Sequence, residues 1–265
     1  LTYKARPEID GLVARLTASE PTYDFVAPDG IQHVLWVISD AEDRDALVTA
    51  FADVPELYVA DGHHRSAAGT RIRALRRDAN PNHTGRESYN YFLSVIFPDD
   101  QMMILDYNRV VRDLNGRQPA ELLGEIEGSF DVVPVDDGKP QRGRCFGMYL
   151  DGSWYRLTAK DGSFPEDDPV RSLDVAILQD NLLSPVLGIG DPRSDERVDF
   201  VGGIRGLGEL ERLVDSGAFA VAFAVHATSI GQLFAVADAG TVMPPKSTWF
   251  EPKLRSGLIV RPLED

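Results

Sequence analysis

Apolar and polar residues along the chain switch between a helical and an alternating period, and the switches mark out its elements. Residues 8–16 place Ile9, Leu12, Val13 and Leu16 at helical spacing. Residues 22–26 and 33–38 read as two strands joined through Pro28-Asp29-Gly30, a hairpin signal. Residues 40–51 return to a helix with Ala46, Leu47, Ala50 and Phe51 on one side. Residues 57–60 form a short apolar run of the size expected of a buried strand. Asp61-Gly62 breaks it, Asp as a cap and Gly as a residue that tolerates a tight backbone. Ala68, Ile72 and Leu75 then recur at i, i+4 and i+7, one apolar stripe of a helix.

Beyond the polar loop at 78–85, residues 89–97 predict a strand, with 102–105 as its hairpin partner across Pro98-Asp99-Asp100. A helix is expected over 119–126. Residues 145–150 and 154–157 predict a hairpin around Asp151-Gly152, part of a solvent-facing antiparallel sheet in a second lobe. Helices are expected over 173–183 and 207–215, and strands over 198–201 and 219–225. Thr228 or Ser229 caps a last helix carrying Ile230, Leu233, Phe234 and Ala237. Residues 258–260 predict a final strand that closes the sheet. The pattern is that of an α/β (α+β) protein with mixed sheets, without internal repeats, divided into residues 1–115 and 116–265.

The chemistry concentrates where the 57–60 run meets its helix. Asp61, Gly62, His63, His64 and Arg65 put two imidazoles, a guanidinium and a carboxylate at a helix N-terminus. First-turn N–H groups lack intrahelical partners and the helix dipole is positive there, so a phosphate is favoured. Arg65 adds a charge-assisted contact, and Asp61 is placed to hold Mg²⁺ or accept a proton. The competing reading is that Asp61 and Gly62 only punctuate the chain. Adjacent histidines on a helix diverge by about 100°, and a two-histidine zinc site prefers i, i+4 spacing, so zinc is not expected.

Four other places carry candidate groups. Asn108 and Arg109 follow a predicted strand, where ligand contacts emerge in α/β proteins; an exposed turn with an ion pair is the alternative. Asp174 lies on or beside the apolar face of its helix, so its carboxylate must be paired or functional, for instance as a metal ligand with Asp61. His226 ends the most apolar strand, as a site candidate or a core-edge histidine. In Pro244-Pro245-Lys246-Ser247-Thr248 two prolines stiffen the approach, and an ammonium and two hydroxyls can meet a phosphate. Gly202-Gly203 has neither the dinucleotide-binding nor the Walker spacing.

The octapeptide from Tyr58 to Arg65 (YVADGHHR), the segment from Met243 to Phe250 (MPPKSTWF) and Gly257-Leu258-Ile259-Val260 together resemble domain-of-unknown-function family 1015 of bacteria and archaea. That resemblance runs along nearly the whole chain and implies an N-terminal region this sequence does not include. The D-G-H-H-R core is also similar to the signature of the ParB/sulfiredoxin superfamily, which includes nucleotide-dependent free-serine kinases. It implies a strand-turn-helix core whose turn cradles phosphates and a serine-like acceptor for phosphoryl transfer.

Composition narrows the partners. The chain of 265 residues has 43% hydrophobic residues and a formal net charge of −15, which opposes nucleic-acid binding but not a small phosphorylated ligand held by local donors. One cysteine, Cys145, allows no intramolecular disulfide, and no apolar run approaches a membrane span, so a cytoplasmic protein is expected. Three functions remain open. A small-molecule kinase would hold ATP or ADP with Mg²⁺ on Gly62, His63, His64 and Arg65, with Asp61 and Lys246 beside the transferring group and Asn108, Arg109, Ser247 and Thr248 as further contacts. A ParB-type nucleotide switch would bind or hydrolyse nucleotide without small-molecule transfer. A metal-dependent phosphoesterase would use Asp61, His63, His64 and Asp174 as ligands. The spacing leaves oligomeric state open and expects the C-terminal motif to fold back towards the D-G-H-H-R turn.

Overall fold

Short elements with few apolar residues to bury open the chain. The computed structural model describes residues 1–262, and it divides into a unit of Leu1–Met102 with the tail from Lys253, and a unit of Met103–Pro252. In the first, β1 (Thr2–Tyr3), α1 (Pro7–Leu16), β2 (Tyr23–Val26), β3 (Gln32–Leu35), α2 (Ala41–Ala52), α3 (His63–Ala79) and β4 (Phe97–Pro98) follow one another. Pro7 starts α1 where its missing N–H costs nothing. Asp40 caps α2 by accepting from the Glu42 and Asp43 amides at 2.9 and 3.1 Å. The β2–β3 hairpin is antiparallel as expected, turning through Gly30 in the left-handed region. Tyr3, Ile9, Tyr58, Ala60 and Tyr89 are this unit's main buried side chains.

Four expectations change here. Residues 57–60 do not form a strand: Tyr58 makes an isolated antiparallel bridge to Thr2, and only Tyr58 and Ala60 of the run are buried. The apolar stripe on α3 faces no core, since none of its residues is buried. Residues 89–97 form a 3₁₀ turn at Ser88–Asn90 and two paired residues, with β4 parallel to β1. Aromatic content there made a strand plausible, but Tyr91, Phe92 and Leu93 stay exposed and find no sheet to join. Residues 258–260 likewise form no strand.

The second unit holds β5 (Met103–Leu105), β6 (Tyr107–Val111), α4 (Pro119–Ile126), β7 (Phe130–Val135), β8 (Cys145–Leu150), β9 (Ser153–Ala159), α5 (Asp174–Leu178), β10 (Val198–Gly202), α6 (Leu207–Asp215), β11 (Val221–Val225), α7 (Ile230–Asp238) and β12 (Trp249–Glu251). Six strands form one antiparallel sheet in the order β10-β6-β11-β8-β9-β7. Alternation sorts each inner strand between two cores. Phe146, Met148 and Leu150 of β8, Val221, Phe223 and Val225 of β11, and Val111 of β6 meet α4, α5 and Val236 of α7 on one face. Tyr149, Ala222, Ala224 and Val110 meet Leu210 of α6 on the other.

Two expectations for strands of this unit also change. The hairpin at Asp151-Gly152 is present, but every residue of β8 is buried, because layers cover both faces of the sheet. The 102–105 segment pairs with β12 rather than with residues 89–97. The expected boundary at residues 115/116 lies inside the second unit, because β6 is an inner strand of its sheet. The α+β class holds: among the described strands only the β1–β4 pair is parallel. Among the described residues no helix is long and apolar enough to cross a membrane.

Candidate functional site

Helix α3 runs for 17 residues and starts on Gly62, whose φ of 82° and ψ of 28° place it in the left-handed region. Such a backbone is cheap only for glycine, which explains Gly62 at this corner. The first intrahelical bond is the Ser66 amide to the Gly62 carbonyl at 3.0 Å, so the amides of His63, His64 and Arg65 precede the ladder. No side chain caps this end, and no acidic residue occupies the first turn. Within the first turn itself no carboxylate compensates the helix dipole at this exposed corner. Arg65 folds back towards it: a Cβ built on Gly62 would lie 3.1 Å from Arg65 Nη2. Amides, guanidinium and the exposed His63 and His64 gather donors and positive charge at one place.

Asp61 does not cap α3 as expected. Its Oδ1 accepts from the next amide, Gly62 N–H, at 2.7 Å, and its Oδ2 accepts from Lys253 Nζ at 3.0 Å. Partial burial raises the carboxyl pKa, but the Lys253 bond, the Gly62 amide and the charges of Lys253 and Arg65 outweigh it and hold the group below the usual carboxylate range. Asp61 is therefore an anion at neutral pH. Lys253 was not foreseen. It stands 192 residues from its partner in sequence, and nothing in the local pattern signals so distant an ion pair.

The remaining candidates lie in the second unit. Asn108 and Arg109 sit within β6 rather than beyond a strand end, with relative exposures of 1% and 4%. Asn108 Nδ2 donates to Asp106 Oδ2 at 2.6 Å, and Asn108 Oδ1 accepts from the Val225 amide at 2.9 Å. Arg109 donates to the carbonyls of Tyr107 and Lys246 and lies over the Phe200 ring. Burial lowers its pKa to about 10, so it remains charged at neutral pH. Both side chains are occupied in building the sheet and the loop beside it.

That loop displays Lys246 and hides Ser247. Lys246 is exposed with a φ of 55°, a left-handed backbone unusual for lysine, and its ammonium lies 5.6 Å from the Tyr107 ring centroid. Ser247 is buried; its hydroxyl donates to the Pro244 carbonyl, and its carbonyl accepts from Thr228 Oγ1 at 3.1 Å. Thr248 is half-buried. Lys246 thus faces outward while Ser247 belongs to the frame. Pro192, Arg193, Asp199, Phe200, Pro245 and Lys246 line a cleft of about 530 Å³.

Gly202-Gly203 is explained by packing, since a Cβ on Gly202 would meet the Trp249 ring at 2.5 Å and one on Gly203 would meet Asp106 Oδ1 at 2.1 Å. Asp174 begins α5 and accepts the Arg144 amide on both oxygens, at 2.9 and 3.1 Å. Burial raises its pKa to about 6, opposed by that amide and by the nearby His226 and Arg144 charges. Among the described residues no three His, Cys, Asp or Glu side chains gather as a metal site, so the four-ligand set of Asp61, His63, His64 and Asp174 does not assemble. Both carboxylates are engaged, Asp61 by the Gly62 amide and Lys253 and Asp174 by the Arg144 amide, and a single carboxylate such as Asp61 would have to give up Lys253 to hold Mg²⁺ alongside substrate phosphates.

The family described as "Protein of unknown function (DUF1015)" matches residues 1–176. The chain belongs to this family. No curated protein matches it in sequence. Solved structures similar to this member include a free serine kinase in complex with AMP, at 13% identity and a TM-score of 0.36, covering 94% of this chain and 81% of that one. A conserved hypothetical protein from Pyrococcus furiosus is similar at 11% identity and a TM-score of 0.38, with coverage of 94% and 85%. A mutant free serine kinase in complex with ADP is similar at 13% identity and a TM-score of 0.35, with coverage of 94% and 82%.

Proposed function

We propose that the corner formed by Gly62, His63, His64 and Arg65 binds the phosphates of ATP or ADP, and that the protein transfers a phosphoryl group to a small hydroxylated metabolite such as a serine-like acceptor. One observation carries this reading: a 17-residue helix starts uncapped on a left-handed glycine, with Arg65 folded over that glycine and no first-turn carboxylate. Phosphoryl transfer asks a protein for positioning and charge stabilisation more than for covalent chemistry. Three leading amides and a guanidinium supply both.

In this reading Asp61, where it is released from Lys253, would hold Mg²⁺, which supplies neutralisation of phosphate charge. His63 and His64 are donors to the phosphate oxygens. The low pKa of Asp61 suits cation binding better than proton abstraction. A cytoplasmic protein that takes a nucleotide as its small-molecule partner, with no nucleic acid or membrane, completes the proposal.

The test is a thermal-shift series with adenine, guanine and cytidine nucleotides in Mg²⁺, followed by assay of nucleotide turnover with amino-acid and polyol acceptors. Saturation at 100 times Kd should stabilise the protein by about 2.7 kcal/mol. Product formed only when an acceptor is present supports transfer. A melting temperature unmoved by all nucleotides sinks the proposal.

A further inference from the structure

The tail after Pro252 belongs to the first unit and has no regular secondary structure, and three cations, Lys253, Arg255 and Arg261, tie it down. Lys253 Nζ meets Asp61 Oδ2 at 3.0 Å, Arg255 pairs with Asp29, and Arg261 lies over the Tyr91 ring at 5.6 Å while donating to the Ser88 carbonyl at 3.4 Å. Its apolar side chains contribute little hold, since Leu254, Leu258, Ile259 and Val260 are all exposed. Exposed ion pairs are individually weak and screened by salt. An element attached in this way opens readily.

We propose that residues 253–262 are a charge-latched strap, held closed by Lys253 on Asp61 and by Arg255 on Asp29. Its state matters at the D-G-H-H-R turn, a consequence that rests on the phosphate reading above. With the strap closed, Lys253 neutralises the Asp61 carboxylate. With it open, that carboxylate stands beside the leading amides of α3 and repels an arriving anion. Closure and anion binding therefore favour one another, and by linkage a bound anion tightens the strap.

Thermolysin cleavage at residues 257–260 of the full chain, followed by mass spectrometry, measures strap opening. Arg255→Gln and Asp29→Asn should each raise the cleavage rate roughly two- to five-fold, the range an exposed pair supports. The double variant should cleave no faster than either single one, because all three break the same pair. Rates equal to that of the unaltered protein overturn the latch.

Inorganic pyrophosphate in the presence of a chelator, so that no divalent cation competes with Lys253 for Asp61, supplies the second arm. Slower cleavage in its presence supports the coupling. A raised melting temperature with unchanged cleavage overturns the coupling. If pyrophosphate moves neither while the variants open the strap, the latch stands and the phosphate reading falls.

Discussion

Arg109 Nη2 donates to the carbonyl of Lys246 at 3.0 Å, joining an inner strand to a loop 137 residues away in sequence. The same guanidinium reaches the Tyr107 carbonyl and covers Phe200. A buried cation thus holds the backbone of an exposed cation in a left-handed conformation that lysine rarely adopts. The planar fork of arginine suits two carbonyls at once, which an ammonium on a flexible stem does not.

Arg109→Ala should lose about 2–4 kcal/mol of stability, from charge-assisted hydrogen bonds and from the cavity left beside Phe200. Arg109→Lys should lose less, yet still free the Lys246 loop. Urea denaturation gives the first quantity. Backbone amide shifts of Lys246, Ser247 and Thr248 by NMR give the second. A variant as stable as the parent would show that the two carbonyl bonds contribute nothing net.

Gly202 has an ordinary backbone, with φ of −63° and ψ of 137°, that any residue can adopt. Its need for glycine is purely steric, because a Cβ would enter the Trp249 ring at 2.5 Å. Gly208 in α6 has nothing within 4 Å of a built Cβ. Gly202→Ala should therefore cost about 1–3 kcal/mol by overpacking, whereas Gly208→Ala should gain roughly 0.5–1 kcal/mol from helix propensity. Equal effects in thermal melts would contradict this account.

Long-period elements were legible and pairings were not. The helices at Pro7–Leu16, Pro119–Ile126 and Leu207–Asp215 and the strand at Val221–Val225 follow from spacing alone, because their apolar faces meet a neighbour wherever it lies. Tyr91, Phe92 and Leu93 have the composition of a strand, yet a strand needs a partner edge. Local pattern does not reveal that Met103–Leu105 pairs instead with Trp249–Glu251. The turn at Gly62 and the helix start at His63 were readable because such junctions leave local marks. The tie of Asp61 to Lys253 and the occupation of Asn108, Arg109 and Ser247 depend on contacts far apart in sequence.

Gly62→Ala tests the corner itself. A methyl group at a φ of 82° costs about 1 kcal/mol, and it would press on Arg65 Nη2 at 3.1 Å. Arg65→Ala leaves the backbone untouched and removes only the exposed guanidinium. On the phosphate reading, Arg65→Ala should weaken nucleotide binding by roughly ten- to a hundred-fold, the worth of a charge-assisted hydrogen bond. Its stability without ligand should stay within about 0.5 kcal/mol of the parent. Unchanged affinity by calorimetry would remove Arg65 from the site.

Asp174 makes stability fall with rising pH. Burial lifts its folded pKa from 3.8 to about 6, so between those values the folded chain holds the proton more tightly than the unfolded chain. Its contribution is most favourable below about pH 4, declines as pH rises through about 6, and is flat above. The full swing is up to about 3 kcal/mol at roughly 1.4 kcal/mol for each pH unit of difference. Asp174→Asn keeps an oxygen for the Arg144 amide and cannot ionise. The difference in melting temperature between variant and parent should therefore favour the variant increasingly from pH 4 to pH 7 and then level off. Melts across that range decide the matter, and a difference independent of pH would mean that Asp174 does not titrate in this window.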